Sequence, residues 1–213
     1  MSPDATPPVP YERAGVRGFL HQPTRADGRG LVLTHGAGGN CNAPLLVAVG
    51  AAFCDAGVTV LRCDLPFRQR RASGPPSPST AAEDRAGLRS AVAALQSMVP
   101  GAVFLGGHSY GGRQASMLAA EEPAVAAALL LLSYPLHPPD KPTQLRTQHF
   151  PRLNVPALFI HGTADPFGSV AELEAAIAAI PARTRIIAIE KAGHDLKRGH
   201  FDLAELVGAI ANR

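Results

Sequence analysis

Ser109 lies in Gly107-His108-Ser109-Tyr110-Gly111, a G-x-S-x-G pattern. A serine hydroxyl is a weak nucleophile until a positioned base takes its proton. An apolar run, Ala102 to Gly106, precedes the motif, and an Ala-rich stretch, Tyr110 to Glu121, follows it. In a strand-to-helix turn of this kind, the flanking glycines let the two elements approach while the backbone turns sharply and exposes the hydroxyl. The segments His161-Gly-Thr-Ala-Asp165 and Lys191-Ala-Gly-His194-Asp195 supply an acid and a base in the order Ser, acid, His. His194 is the expected acceptor of the Ser109 proton, and Asp165 the group that orients the imidazole and stabilises its charged form. Asp195 is a rival acid, but adjacent residues in an extended turn point apart, which favours Asp165. Asp140, in the segment after the fourth strand, is a second rival. The chemistry these residues specify is acyl transfer to water through an acyl-serine.

That chemistry needs backbone N–H groups aimed at the developing oxyanion. Tyr110 N–H, directly after the nucleophile, is one expected donor. Ala37 N–H, in His35-Gly36-Ala37-Gly38-Gly39, is the other. Gly36-x-Gly38 also begins a dinucleotide fingerprint, but Cys41 stands where the third glycine belongs. His35, His108 and His161 fall near strand ends without H-x-x-x-H, C-x-x-C or carboxylate-cluster spacing. They are expected to brace turns, with no metal and no cofactor, and Cys41 is expected to be packing.

Short β-like runs alternating with helical stretches must position these groups. Strands are expected at Leu31–Thr34, Thr59–Leu65, Ala102–Gly106, Ala127–Leu132, Ala157–His161 and Arg185–Ile189, with a weaker edge strand near Arg17–Gln22. Helices are expected at Ala43–Ala56, from Thr80 to about Met98, and at Tyr110–Glu121, Val170–Ile180 and Phe201–Ala211. Ser79 or Thr80 is the expected cap of the second helix, Glu83 completing a capping box if Thr80 is the cap. The pattern predicts one α/β domain over 1–213, a doubly wound and mostly parallel sheet, with residues 1–12 a flexible N-terminal segment. Pro66–Pro78 and His137–Asn154 are too long for simple connections and leave from carboxyl ends of strands, where ligands bind in open α/β sheets.

Composition excludes several classes. Hydrophobic residues make up 46% and charged residues 17% of 213, enough for a sizeable core. The longest apolar run, Ala124–Leu132, is too short to span a bilayer. Three cysteines at irregular spacing give no disulfide framework, and Met1–Tyr11 lacks the order of a signal peptide. A soluble, reduced, cytoplasmic protein is the expectation, with no membrane partner and no set oligomeric state. The net charge of +3 lacks the breadth of a nucleic-acid footprint. Arg62, Arg68, Arg70 and Arg71 read as a solvated loop or as an anion-attracting rim of the site.

The motifs resemble the α/β-hydrolase superfamily from about Gly30 onward, and more narrowly a dienelactone-hydrolase-related branch that includes testis-expressed and NSL-complex hydrolase-like proteins. Thr34-His-Gly-Ala-Gly-Gly-Asn40, Asp64-Leu-Pro-Phe-Arg68, Gly106-Gly-His-Ser-Tyr-Gly-Gly-Arg-Gln114 and Ser133-Tyr-Pro-Leu-His137 carry that likeness. It implies an eight-stranded type of mixed sheet, leaves open whether the first strand is present, and implies a Ser-Asp-His triad of Ser109, Asp165 and His194. Serine at the elbow departs from dienelactone hydrolase proper, which carries Cys, and from dehalogenases and epoxide hydrolases, which carry Asp. The expected function is hydrolysis of small carboxylic esters or thioesters; a non-catalytic interaction module on the same scaffold is the alternative. Arg68 with Arg70 and Arg71 suggests an acidic or phosphate-bearing acyl group, and Phe67, Tyr134 and Leu136 an apolar wall. With only His137–Asn154 left for a cap, an open, shallow, Arg-rimmed cleft is expected.

Overall fold

The computed structural model describes residues 7–197, Glu205 and 208–210. The chain opens with a hairpin of β1 (Val9–Arg13) and β2 (Val16–His21). Ala14 and Gly15 connect them at φ +52° and +75°, the pair of positive angles that matches a two-residue turn to strand twist. The expected free segment 1–12 is therefore strand from Val9, and the first strand is present. Only Tyr11 of β1 is buried, and Pro10 sits at the sheet edge, where its missing N–H is tolerated.

Next come β3 (Gly30–Thr34), α1 (Pro44–Asp55) and β4 (Thr59–Cys63). The expected loop after β4 begins with a short helix, α2 (Pro66–Arg70), started by proline at its first position. A 3-10 turn at Pro78–Thr80 runs into α3 (Ala81–Gln96). Thr80 does not cap α3. Its backbone is already helical, its hydroxyl donates to Ser77 C=O, and Glu83 instead pairs with Arg70 at 2.6 Å. A capping box forms elsewhere, between Ser169 and Glu172 at the start of the last helix described below.

The remaining elements are β5 (Val103–His108), α4 (Tyr110–Glu121), β6 (Leu129–Leu132), β7 (Ala157–Gly162), α5 (Val170–Ile177) and β8 (Thr184–Ile189). The expected helix Phe201–Ala211 lies outside the described residues except for Glu205 and 208–210, which are helical. Among the described residues no helix is long and apolar enough to cross a membrane.

The sheet has eight strands in the order β1-β2-β4-β3-β5-β6-β7-β8. β2 runs antiparallel to both neighbours, and β3 through β8 are mutually parallel. Period-2 alternation explains why strands such as Leu129-Leu-Leu-Leu132 are wholly apolar. Leu129 and Leu131 face α3, α4 and α5, while Leu130 and Leu132 face α1. Each fully buried leucine contributes about 1.5–3 kcal/mol of hydrophobic stabilisation. The chain leaves β3 toward β4 on one side and returns to β5 on the other, so the carboxyl ends of β3 and β5 flank the crevice where the strand order reverses.

Candidate active site

Ser109 follows β5 directly, with φ +50° and ψ −116°. A non-glycine residue held there costs about 1–3 kcal/mol, and the surroundings must enforce it. Ser109 N–H donates to Leu132 C=O at 2.8 Å, tying the turn to β6. Gly111 allows the tight return into α4, because a Cβ there would stand 2.5 Å from His35 C=O. The turn thus presents the hydroxyl at the start of a twelve-residue helix, whose dipole favours negative charge beside it.

Two further loops meet Ser109. His194 Nε2 lies 2.8 Å from Ser109 Oγ, and His194 Nδ1 lies 2.8 and 3.0 Å from the two Asp165 oxygens. The Asp165 side chain is fully buried and also accepts the Phe167 N–H at 2.9 Å, so it is held from two directions. The two loops are stitched together: Ala164 N–H donates to Ala192 C=O, and Lys191 N–H to Thr163 Oγ1. Gly162 makes this approach possible, since a Cβ there would fall 2.3 Å from Ala192 C=O. The His194 ring stacks against Phe167 at 4.2 Å between centroids, with His108 on another side at 5.2 Å. His108 Nε2–H donates to His194 C=O at 2.8 Å, and burial lowers its pKa so that the neutral donor persists. Asp195 pairs with Lys197 at 3.3 Å, and Asp140 is exposed; neither joins this chain of hydrogen bonds.

The loop after β3 carries Ala37. Neither the Ala37 nor the Tyr110 N–H has an acceptor among the described residues, and Thr34 pairs with Gly107, so the two loops are neighbours. His35, fully buried, donates from Nδ1 to Gly36 C=O and accepts the Leu65 N–H at Nε2; burial lowers its pKa and keeps it neutral. The segment after β4 splints the same loop. Asp64 accepts Cys41 N–H at 2.7 Å, and the Arg62 guanidinium donates to Cys41 C=O and to His21 Nε2. Burial, and then the neighbouring Arg62 charge, push the His21 pKa down to about 4. Burial pushes the Cys41 thiol up to about 12, so it is an inert packing group.

Arg68 departs from the expected role of substrate contact. It is 4% exposed, and its guanidinium donates to Gly39 C=O (2.7 Å), Ala37 C=O (2.8 Å), Gly74 C=O (3.0 Å) and Arg71 C=O (3.1 Å). A planar fork of donors in a row of carbonyls is a structural clamp. Phe67 and Tyr134 depart from that expected role too, because each is buried and neither lines the cleft. Phe67 packs edge-on between His35 and Tyr110, beneath both loops that flank Ser109. Tyr134 lies among Phe150 and Phe159 in the core and donates its hydroxyl to Arg146 C=O, and Leu136 is equally buried. Among the described residues no arginine lines the cleft: Arg70 pairs with Glu83, and Arg71 donates to Pro75 C=O. Sequence reasoning missed Asp84, fully buried in α3, which accepts the Tyr110 hydroxyl at 2.8 Å and the Phe67 N–H at 3.0 Å. It also missed Phe167, two residues beyond Asp165.

The cleft beside Ser109 has a volume of about 720 Å³. Its described walls are the Gly36–Gly39 loop, the start of α1, His108, Phe167, His194 and residues 195–197. His137–Asn154 is absent from those walls and is pinned by His137 N–H on Phe167 C=O, Arg146 N–H on Leu136 C=O, and buried Phe150. The arrangement can move a proton from Ser109 to His194, and it leaves the Tyr110 N–H, next in sequence to Ser109, and the N–H of cleft-lining Ala37 without acceptors among the described residues.

Residues 27–207 match a family model described as an alpha/beta hydrolase domain. Similar solved structures include dienelactone hydrolase from Anabaena variabilis, 22% identical with a TM-score of 0.72 and 96% of each chain covered. Est1E from Butyrivibrio proteoclasticus is 16% identical, with a TM-score of 0.73 and 97% of each chain covered. An α/β serine hydrolase without lid from Xanthomonas campestris is 16% identical, with a TM-score of 0.71, covering 100% of this chain and 94% of that one. At these identities the likeness is one of fold, and among the described residues the elements form a compact sheet-and-helix core with no large cap. With most of its length matched by one family model, this chain belongs to the alpha/beta hydrolase domain family.

Proposed function

We propose that the protein is a serine hydrolase of small carboxylic esters or thioesters, working through an acyl-serine intermediate. The observation that supports this most is His194 Nε2 at 2.8 Å from Ser109 Oγ with its other nitrogen on buried Asp165. Ser109 Oγ attacks the carbonyl carbon while His194 Nε2 takes its proton. Asp165 accepts the Nδ1–H bond and stabilises the imidazolium. The N–H groups of Ala37 and Tyr110 hold the tetrahedral oxyanion, where one such donor is worth about 10²–10³ in rate. Collapse expels the alcohol or thiol, which receives the proton from His194. Water then repeats the cycle on the acyl-serine with His194 as base, releasing the acid and free Ser109.

The narrower kinship with the dienelactone-hydrolase-related branch belongs to the same proposal and rests on the four motifs that carry it. An interaction module would have no use for a strained serine hydrogen-bonded to a histidine, and the elbow's φ of +50° weighs against that alternative. Hydrolysis of p-nitrophenyl esters and matched thioesters tests the reading. Ser109→Ala should lose at least about 10³-fold in kcat with its fold intact. Turnover surviving in folded Ser109→Ala protein would sink it.

A further inference from the structure

We infer that the cleft takes an uncharged, apolar acyl or alkoxy group and discriminates against esters that carry a carboxylate or phosphate. This rests on the hydrolase reading and adds the substrate class to it. The first support is the wall. Pro44, Leu45, Leu46, Ala48, Phe167 and Leu196 line the cleft beside Ser109. A volume of about 720 Å³ suits a small organic ligand rather than a single acetyl group.

The second support is helix α1 itself. From Pro44 to Phe53 it reads Pro-Leu-Leu-Val-Ala-Val-Gly-Ala-Ala-Phe, without a polar or charged side chain. Yet Pro44, Val47 and Ala48 are exposed. A helix with a solvated face ordinarily places polar residues there. Pro44 and Ala48 belong to the cleft lining, and apolar positions kept exposed there mark a surface that meets apolar ligand.

The third support is charge. Among the described residues, the arginines expected at the rim are engaged elsewhere: Arg68 by carbonyls, Arg70 by Glu83 and Arg71 by Pro75 C=O. Lys197 reaches the cleft together with Asp195, and the pair, 3.3 Å apart, brings no net charge. An anionic substituent would lose water against an apolar wall and, among the described residues, gain no counter-ion other than Lys197, which Asp195 already neutralises.

The test compares two p-nitrophenyl esters of equal acyl length on the whole protein, the pentanoate and the glutarate monoester, which ends in a carboxylate. The neutral ester should be preferred by about 100-fold in kcat/KM, from the cost of desolvating an unpaired carboxylate. Ala48→Arg, at an exposed position that folding does not need, should narrow that ratio at least about tenfold by improving the anionic ester. Equal or reversed preference in a protein whose Ser109 is fully labelled by a fluorophosphonate would overturn this inference and leave the hydrolase reading standing. Absence of both labelling and turnover would overturn the two together.

Discussion

Replacing Arg68 should damage turnover rather than substrate affinity. Its guanidinium is almost wholly buried and holds Ala37 C=O and Gly39 C=O at 2.8 and 2.7 Å, on the loop whose Ala37 N–H is the proposed oxyanion donor. A hydrogen bond from a charged donor contributes about 1.5–3 kcal/mol net. Arg68→Ala removes four such contacts and leaves carbonyls unpaired, so a loss of roughly 3 kcal/mol in stability is expected, the contributions being non-additive. For a chain of this size that lowers Tm by about 6–12 °C. Loss of an entire oxyanion donor costs about 10²–10³ in kcat, which bounds the effect of loosening the loop, and a fall of about 10- to 10³-fold is expected. Arg68→Lys keeps the charge but cannot span the same carbonyls with a single ammonium, so at least about a tenfold loss should persist. Steady-state kinetics on a neutral ester, with thermal melts of each variant, read both effects. KM should stay within about threefold, because nothing of Arg68 reaches the cleft walls. A raised KM with unchanged kcat, confined to anionic esters, would refute the clamp and restore Arg68 as a substrate contact.

Gly111→Ala should abolish turnover while leaving much of the protein folded, because its Cβ would collide with His35 C=O and displace the elbow; ester hydrolysis and circular dichroism check this together. Stability should fall in acid. His21 and His149 are buried, mainly by desolvation held at pKa about 4, against about 6.5 when unfolded. A depressed histidine means the unfolded chain binds the extra proton, so stability is complete above pH 6.5 and is lost as pH falls toward 4, on the order of 3 kcal/mol for each group. Melts between pH 7 and 4 should show this, and His149→Gln should flatten the dependence; a pH-independent Tm would contradict it. Iodoacetamide at neutral pH should leave activity intact, since burial raises the thiols of Cys41 and Cys63; rapid inactivation would show a reactive cysteine. Asp84→Ala should cost about 2–4 kcal/mol by orphaning the Tyr110 hydroxyl and the Phe67 N–H, measured by denaturant unfolding.

The parts of this molecule legible in its sequence are those where one local rule dominates. Glycines around Ser109 announce a tight strand-to-helix turn, and runs such as Leu129–Leu132 announce a sheet covered on both faces. Asp165 and His194 were legible because each follows an apolar strand by a few residues, and their meeting is a consequence of adjacent parallel β7 and β8. What escaped depends on partners distant in sequence. β1 shows no clean alternation, because it is an edge strand burying only Tyr11. Five-residue α2 is shorter than the period that would reveal it. The arginines after β4 look like a solvated or anion-binding cluster, since composition does not distinguish a guanidinium facing carbonyls from one facing water. Asp84 reads as a routine first-turn acid of α3, although it is a buried acceptor for two other segments. The apolar stretch Pro44–Phe53 was visible, but exposure at Pro44, Val47 and Ala48 belongs to the tertiary structure alone.

The most direct test of Ser109 as an activated nucleophile is intact-protein mass spectrometry after treatment with a fluorophosphonate. One adduct per chain should form, map to Ser109, and disappear in folded Ser109→Ala and His194→Ala proteins, since phosphonylation needs both the hydroxyl and the base that takes its proton. An unlabelled wild-type protein beside a labelled control esterase, or an adduct that persists in Ser109→Ala, would contradict the proposed chemistry.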